Sequence, residues 1–217
     1  MKNKTLILFP LLAILFFIPV PGMASDSEFI DLPDPRLEAG QPLMAALKAR
    51  KSTRSFSPRL LSNQTLSELL WAAFGINRPE SKKRTAPSAH DRQEVDIYIA
   101  MAKGLYRYNA AKHALQLVST KDIRHLTGRQ KFPGDAPVNL VYVVDFSRMT
   151  GVPRQAAIEV AAVSTGAMVQ NVYLYCASEG LGAVARGWID RDALGDAMNL
   201  REDQYIILAQ TVGYPNE

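Results

Sequence analysis

The chain has one cysteine, Cys176, in 217 residues, so it can form no internal disulfide. Stability must come from burial, and from a partner subunit if one exists. Cys176 lies in an apolar stretch, residues 171–180, with no activating base beside it. That setting fits a buried structural thiol rather than a nucleophile. Histidine is also scarce. His90, His113 and His125 are dispersed without metal-ligand spacing, and the His90–Asp91 pair reads as loop residues, so no metal site is expected. There is no P-loop, no G-x-S-x-G elbow, no H-E-x-x-H and no S-x-x-K. Internal repeats and low-complexity tracts are missing too. The formal charge of +4 is too mild to call for nucleic acid. With 47% hydrophobic and 21% charged residues, one globular domain with a real core is expected.

The N-terminus stands apart from that domain. Lys2 and Lys4 precede an apolar run over residues 5–20, and small residues follow at Gly22 and Ala24. This is the three-part pattern of a secretory signal, residues 1–24, cut after Ala24. The rival is an uncut membrane anchor, but the run is short for a span and Pro10 and Pro19 weaken it as a helix. With no cysteine near the cut, a lipoprotein is excluded. With no arginine pair before the run, a passenger folded before export is not expected. The protein is therefore expected outside the cytoplasm, in the periplasm, touching a membrane only if the segment stays uncut.

Residues 25–40 are acidic and carry proline, and read as a linker or extended arm. A single domain over 41–217 follows. Residues 41–50 form a helix with Leu43, Ala46 and Leu47 on one side. Residues 61–75 form a second, with Ser62 as N-cap and Gly75 as the C′ residue. Residues 77–93 are a polar loop. Alternation in 94–102 marks a strand, and a hairpin follows with its turn near Asn109. Residues 121–130 are a short helix. Residues 137–147 are so evenly apolar that they make a central strand buried on both faces. Residues 153–179 form the longest helix, apolar almost all round. One domain of this size does not enclose a helix completely, so a subunit interface is expected on its remaining face. A strand over 182–189, a helix capped by Asp190 and a strand over 204–213 complete an α+β order.

Three stretches carry chemistry. The first is ARKSTRSFS, residues 49–57, where Arg50, Lys51 and Arg54 mix with four hydroxyls and no acid. Arginine forks, a lysine point charge and hydroxyl donors together suit a phosphate. Arg50 and Arg54 would be neighbours if the first helix continued through 54. The bland alternative is a solvated basic helix end. The second is RTAPSAHDRQ, residues 84–93, a polar loop leading into a strand, where sites are often built. The third is GLGAVARGWID, residues 180–190. Its glycines follow a helix and precede a strand, which rules out a dinucleotide fingerprint. They can still let backbone approach a flat ligand. Gly180 reads as the cap of the long helix. Asp145, at a strand end, reads as a cap or ion-pair residue.

In this order the three stretches resemble the nitroreductase family of FMN enzymes, over residues 40–215. ARKSTRSF is similar to its flavin-phosphate motif, PSAHDRQ to its Pro-Ser-Ala-x-Asn-x-Gln segment, and EGLGAVARGWID to the strand under the isoalloxazine ring. LLWAAFGIN and GLYRYN resemble the branch of peptide-modifying thiazole and oxazole dehydrogenases. The resemblance implies an α+β fold with a mixed or antiparallel sheet and a long central dimer helix. It implies a homodimer with FMN at the interface, NAD(P)H as a donor and a small-molecule substrate. Arg50, Ser52 and Arg54 would hold the phosphate and ribityl chain, with Lys51 toward the pyrimidine side. Pro87, Ser88 and Ala89 would reach the flavin from the partner, and Arg186 and Gly187 would lie by its reactive nitrogen through backbone groups. Two departures stand out. Asp91 replaces the family's asparagine, and the sequence shows Asn216 and Glu217 where relatives continue to a basic residue. Either would weaken flavin binding or change the ligand. The implied function is hydride or electron transfer through the flavin to or from a nitroaromatic or quinone. The alternative is an exported flavin- or ligand-binding protein of this fold without turnover.

Overall fold

The computed structural model describes residues 29–216. The signal segment and the first residues of the arm lie outside them. In chain order the elements are β1 (Phe29–Asp31), α1 (Leu43–Ala49), α2 (Asn63–Phe74), β2 (Ile76–Arg78), β3 (Lys83–Arg84), β4 (Val95–Met101), β5 (Gly104–Asn109) and β6 (Ala114–Ser119). Then come α3 (Phe132–Asp135), β7 (Val138–Asp145), α4 (Arg154–Ser178), β8 (Gly182–Arg186), α5 (Arg191–Ala197) and β9 (Gln204–Gly213).

Seven strands form one sheet in the order β1-β6-β5-β4-β7-β9-β8. Every pairing in it is antiparallel, so the expected α+β class holds without a mixed sheet. All eight residues of β7 are buried. Side chains alternate across a strand. Leu140, Tyr142 and Val144 therefore join Leu66 and Leu69 of α2 and Met168 and Val172 of α4. Val141 and Val143 join Ile206 and Leu194 under α5. Each such side chain contributes about 1.5–3 kcal/mol by burial. Among the described residues no helix is long and apolar enough to cross a membrane.

Several expectations are corrected. Residues 29–31, within the stretch read as a linker or extended arm, form a strand that pairs with β6 and extends the sheet. The 77–93 loop contains the β2–β3 hairpin. Residues 121–130 hold only a 3-10 turn at Arg124–Thr127. Of the expected face of α1 only Ala46 is buried; Leu43 and Leu47 are exposed. Gly75 caps α2 with φ −70°, not left-handed. Its role is close packing, because a Cβ there would lie 2.5 Å from Trp71 Cδ1.

Other local signals form as expected. Ser62 Oγ accepts from the Thr65 amide at 3.0 Å, and Asp190 Oδ1 from the Ala193 amide at 3.2 Å. Asp145 caps its own turn through the Ser147 amide and pairs with Arg201 at 3.0 Å, a structural role. Gly180 takes φ +70° after α4, and the Leu181 amide donates to the Cys176 carbonyl at 2.8 Å. Those are the marks of a glycine C-terminal cap. The buried residues of α4 include Ala157, Ala161, Met168, Val172 and Cys176, yet Val163 is 78% exposed.

Candidate functional site

The basic segment does not continue the helix. α1 stops at Ala49, and Arg50 turns out with φ −56° and ψ 122°. Arg50 and Arg54 are thus not helical neighbours. The chain instead runs beside the start of β8. Ser52 bridges Ala183 in parallel, and the Thr53 amide donates to the Ala183 carbonyl at 2.9 Å. Gly182 permits this approach, since a Cβ there would meet Thr53 Cβ at 2.8 Å. In extended chain alternate residues share a side. Arg50, Ser52 and Arg54 therefore face one way by a different route from the helical one.

Tyr173 of α4 secures the arrangement. Its hydroxyl accepts from the Ala185 amide at 2.8 Å and lies 3.1 Å from Ser52 Oγ. The tyrosine can give its own hydrogen to Ser52, which leaves the serine hydrogen for a ligand. The Arg50 guanidinium stands 5.4 Å from the Tyr173 ring centre. Sequence reasoning missed Tyr173. Tyr173 is one of several hydroxyls in α4, with Ser164, Thr165 and Tyr175, and nothing in the sequence singles it out.

Among the described residues, no carboxylate pairs with Arg50, Lys51 or Arg54, while Arg36, Arg124 and Arg129 each have one and Arg148 and Arg201 each have two. Lys51, Ser52 and Arg54 are exposed and Arg50 is half-buried. Arg50 and Arg54, without acid partners among the described residues and with the Ser52 hydroxyl between them, fit a phosphate. Lys51 and Thr53 point to the other side and line a cavity of about 250 Å³ with Tyr173, Cys176 and Leu181. Burial pushes the Cys176 thiol far up, so it stays protonated. Asn216 donates to Ser55 Oγ at 2.9 Å, which places this neutral side chain beside the basic segment.

Pro87, Ser88 and Ala89 line a groove of about 380 Å³ with Val160, Val163, Ser164 and Ala167 of α4. The loop behind them is strained. Lys82, His90, Asp91 and Gln93 all have φ between 49° and 55°. Such residues cost of order 1 kcal/mol each and persist only when held. Gln93 holds them. Its amide proton goes to Ser88 Oγ at 3.0 Å, and its side chain donates to Lys82 O and Asp91 Oδ1, both at 3.1 Å. Arg84 Nε donates to Gln93 Oε1 at 2.7 Å. Asp91 is thereby committed within its own loop.

At the end of β8 the Arg186 side chain is buried and bonded to Thr127 and Asn139. Only its backbone could meet a ligand on the opposite face. A Cβ on Gly187 would meet nothing within 4 Å, so space is open there, and Trp188 next to it is 64% exposed. The structure thus brings Arg50, Ser52 and Arg54 to β8. It leaves Pro87, Ser88 and Ala89 beside an earlier part of α4. From Ala167 to Tyr173 is roughly 9 Å along the helix axis, and from Val160 roughly 20 Å. Within one chain the two groups are separate.

Comparison with known proteins fits this geometry. The Nitroreductase family pattern matches residues 47–214. A nitroreductase-like protein of Methanocaldococcus jannaschii is 28% identical over 174 residues, 76% of this chain and 86% of its own. A crystal structure of a nitroreductase-like protein from Ralstonia eutropha JMP134 is 44% identical, covers 96% of this chain and 100% of that one, and superposes with a TM-score of 0.84. The NADPH:FMN oxidoreductase of Vibrio harveyi, solved with NAD+, shares the fold at 19% identity, with a TM-score of 0.60 over 81% of this chain and 69% of that one.

Proposed function

The chain belongs to the nitroreductase family, with a general oxidoreductase role, and from that premise we propose that it is an FMN-dependent oxidoreductase working as a homodimer. The observation that carries this reading is the acid-free set of Arg50, Ser52 and Arg54 presented on one side of an extended segment at β8. These residues would hold the phosphate and ribityl end. Lys51 would serve the same ligand only by swinging out of the cavity that it lines with Thr53. Gly187 offers backbone and open space to the flat ring. When bound, FMN supplies hydride or electron transfer at N5, to or from a nitroaromatic or quinone, with NAD(P)H as a donor.

The groove at Pro87, Ser88 and Ala89 completes the site if it comes from a second copy. The exposed Val163 on that groove supports the pairing, because a helix so apolar needs cover on its outer side. The N-terminal segment adds export to the periplasm by a cleaved signal. The likeness of LLWAAFGIN and GLYRYN to the thiazole and oxazole dehydrogenase branch supports a kinship with that branch.

One observation favours a binding protein without turnover. Asp91 places a carboxylate in the loop beside the groove and spends it on Gln93, where an asparagine would offer donors. A spectrum of the purified protein decides between the readings. Flavin absorption, bleached by NAD(P)H and restored by a quinone, supports the enzyme. Flavin that dithionite alone bleaches supports the binder. Colourless protein that refuses added FMN ends the enzyme reading and leaves only a binder of some other ligand.

A further inference from the structure

Among the described residues Arg186 is a cation without an acid. It is 5% exposed, and its guanidinium donates to the Thr127 carbonyl, to Thr127 Oγ1 at 3.3 Å and to Asn139 Oδ1 at 3.0 Å. All three acceptors are neutral. Among the described residues no carboxylate pairs with it, and its Nε has no acceptor. Burial pulls its pKa down to about 10, which still leaves it charged at neutral pH. Moving a guanidinium out of water is costly, and neutral acceptors offset only part of that. An apolar side chain of similar length would fill the space with less penalty.

The surroundings are shaped to keep the charge. Gly128 makes room, since a Cβ there would lie 2.0 Å from Arg186 Nη1. Asn139 is fully buried, and its orientation is fixed from two sides. Its amide donates to the Pro133 carbonyl at 2.8 Å, and its oxygen accepts from Thr211 Oγ1 at 2.6 Å. β7 carries Asn139 and β9 carries Thr211, so the acceptor facing Arg186 is set by the sheet itself. The Phe132 ring lies 5.8 Å from the guanidinium. Tightly held, acid-free buried charges are uncommon where only packing is at stake.

We propose that Arg186 is a fixed buried positive charge that raises the reduction potential of the flavin, acting through its field and touching neither phosphate nor substrate. This rests on the flavin reading above, in which Gly187, the next residue, lies against the ring. A charge surrounded by protein acts over a longer distance than an exposed one, and salt screens it little. Reduction adds negative charge to the ring system, and a nearby cation favours that state. The competing role is mechanical, an anchor holding residues 124–135 to the sheet. An anchor would affect stability and leave the potential alone.

The test is the midpoint potential of FMN-loaded protein at low and high salt, for wild type, Arg186→Gln and Asn139→Asp. Gln removes the charge and keeps a polar amide, but it is too short to reach both Thr127 and Asn139. Asp keeps Arg186 and sets a carboxylate against it. Each is expected to lower the two-electron potential by about 30 mV, tenfold in the reduction equilibrium, equally at both salt concentrations. Should Arg186→Gln fail to fold, Asn139→Asp carries the test alone. FMN bound at full stoichiometry with an unchanged potential overturns this inference and leaves the flavin reading standing. Wild-type protein that takes up no FMN overturns both.

Discussion

The Ser52 hydroxyl stands 3.1 Å from the Tyr173 hydroxyl, and this contact joins the basic segment to the long helix α4. The same tyrosine accepts the Ala185 amide of β8 at 2.8 Å. Segment, helix and strand meet at one oxygen. Tyr173→Phe removes that oxygen and leaves a half-buried amide without its acceptor, a loss of about 1–3 kcal/mol. For a domain of this size the melting temperature should fall by about 2–12 °C. FMN affinity should fall with it, because Ser52 loses its support. Thermal melts and FMN titration on one preparation check both. Unchanged FMN affinity in a destabilised variant would separate Tyr173 from the site.

Arg50→Ala and Arg54→Ala should act the other way round. Neither cation is ion-paired among the described residues, so stability should barely change. A charge-assisted bond to phosphate is worth about 1.5–3 kcal/mol, so each substitution should weaken FMN by roughly 10- to 100-fold. The loss should shrink as salt rises. FMN fluorescence quenching at two ionic strengths measures it. Full affinity in the double variant would remove the phosphate from this segment.

Gly182→Ala tests the approach of the basic segment to β8. Its new methyl would sit 2.8 Å from both Thr53 Cβ and Thr53 Cγ2. The segment must move, at a cost of about 1–3 kcal/mol. Flavin retention and melting temperature should both drop. Gly182→Ala combined with Thr53→Ser should recover part of each, because Ser lacks the clashing methyl.

Most of the fold was legible because burial writes itself plainly. The unbroken apolar run of β7 had to be central, and the alternation of β4 and the turn near Asn109 fixed the sheet around it. What local patterns could not show were effects of tertiary contact. Whether the helical turn continued from residue 50 to Arg54 stayed open, because nothing in the sequence reveals that the Thr53 amide goes to Ala183. Gly75 looked like a left-handed cap because its real constraint, Trp71, lies on the previous helical turn. The motif residues were legible through resemblance, but their second layer was not. Tyr173 and Asn139 act through contacts far away in sequence.

Acid should loosen the tie between the N-terminal arm and α2. Glu68 is buried and accepts from Arg36 Nε at 2.6 Å, Gln64 Nε2 at 2.8 Å and the Tyr175 hydroxyl at 3.0 Å. Chiefly the Arg36 bond holds its pKa at about 2, below the ordinary 4.5. A folded-state pKa that is depressed means stability fully present above about pH 4.5, and lost as pH falls toward 2. Glu68→Gln should be less stable at pH 7 and show a flatter decline between pH 5 and 2. Thermal melts across that range check it. An identical slope in the variant would mean other carboxylates govern the acid limb.

The outer side of α4 should be an interface. Val163 is 78% exposed there, on the groove formed with Pro87, Ser88 and Ala89. Leu43 and Met44 on α1, which packs on α4, are 61% and 75% exposed. So much uncovered apolar surface is poorly suited to an isolated chain. Val163→Glu would set a charge in that interface at little cost to the subunit, whose own core the residue does not enter. The expected result is a shift from dimer to monomer by sedimentation, with the melting temperature of the monomer depending on protein concentration no longer. Flavin should be lost together with the dimer, since Arg50 and Arg54 would then face no second groove. A Val163→Glu protein that stays dimeric, or a monomer that holds FMN at wild-type affinity, would place the ligand within one chain and make the distance along α4 between Ala167 and Tyr173 the measure of the site.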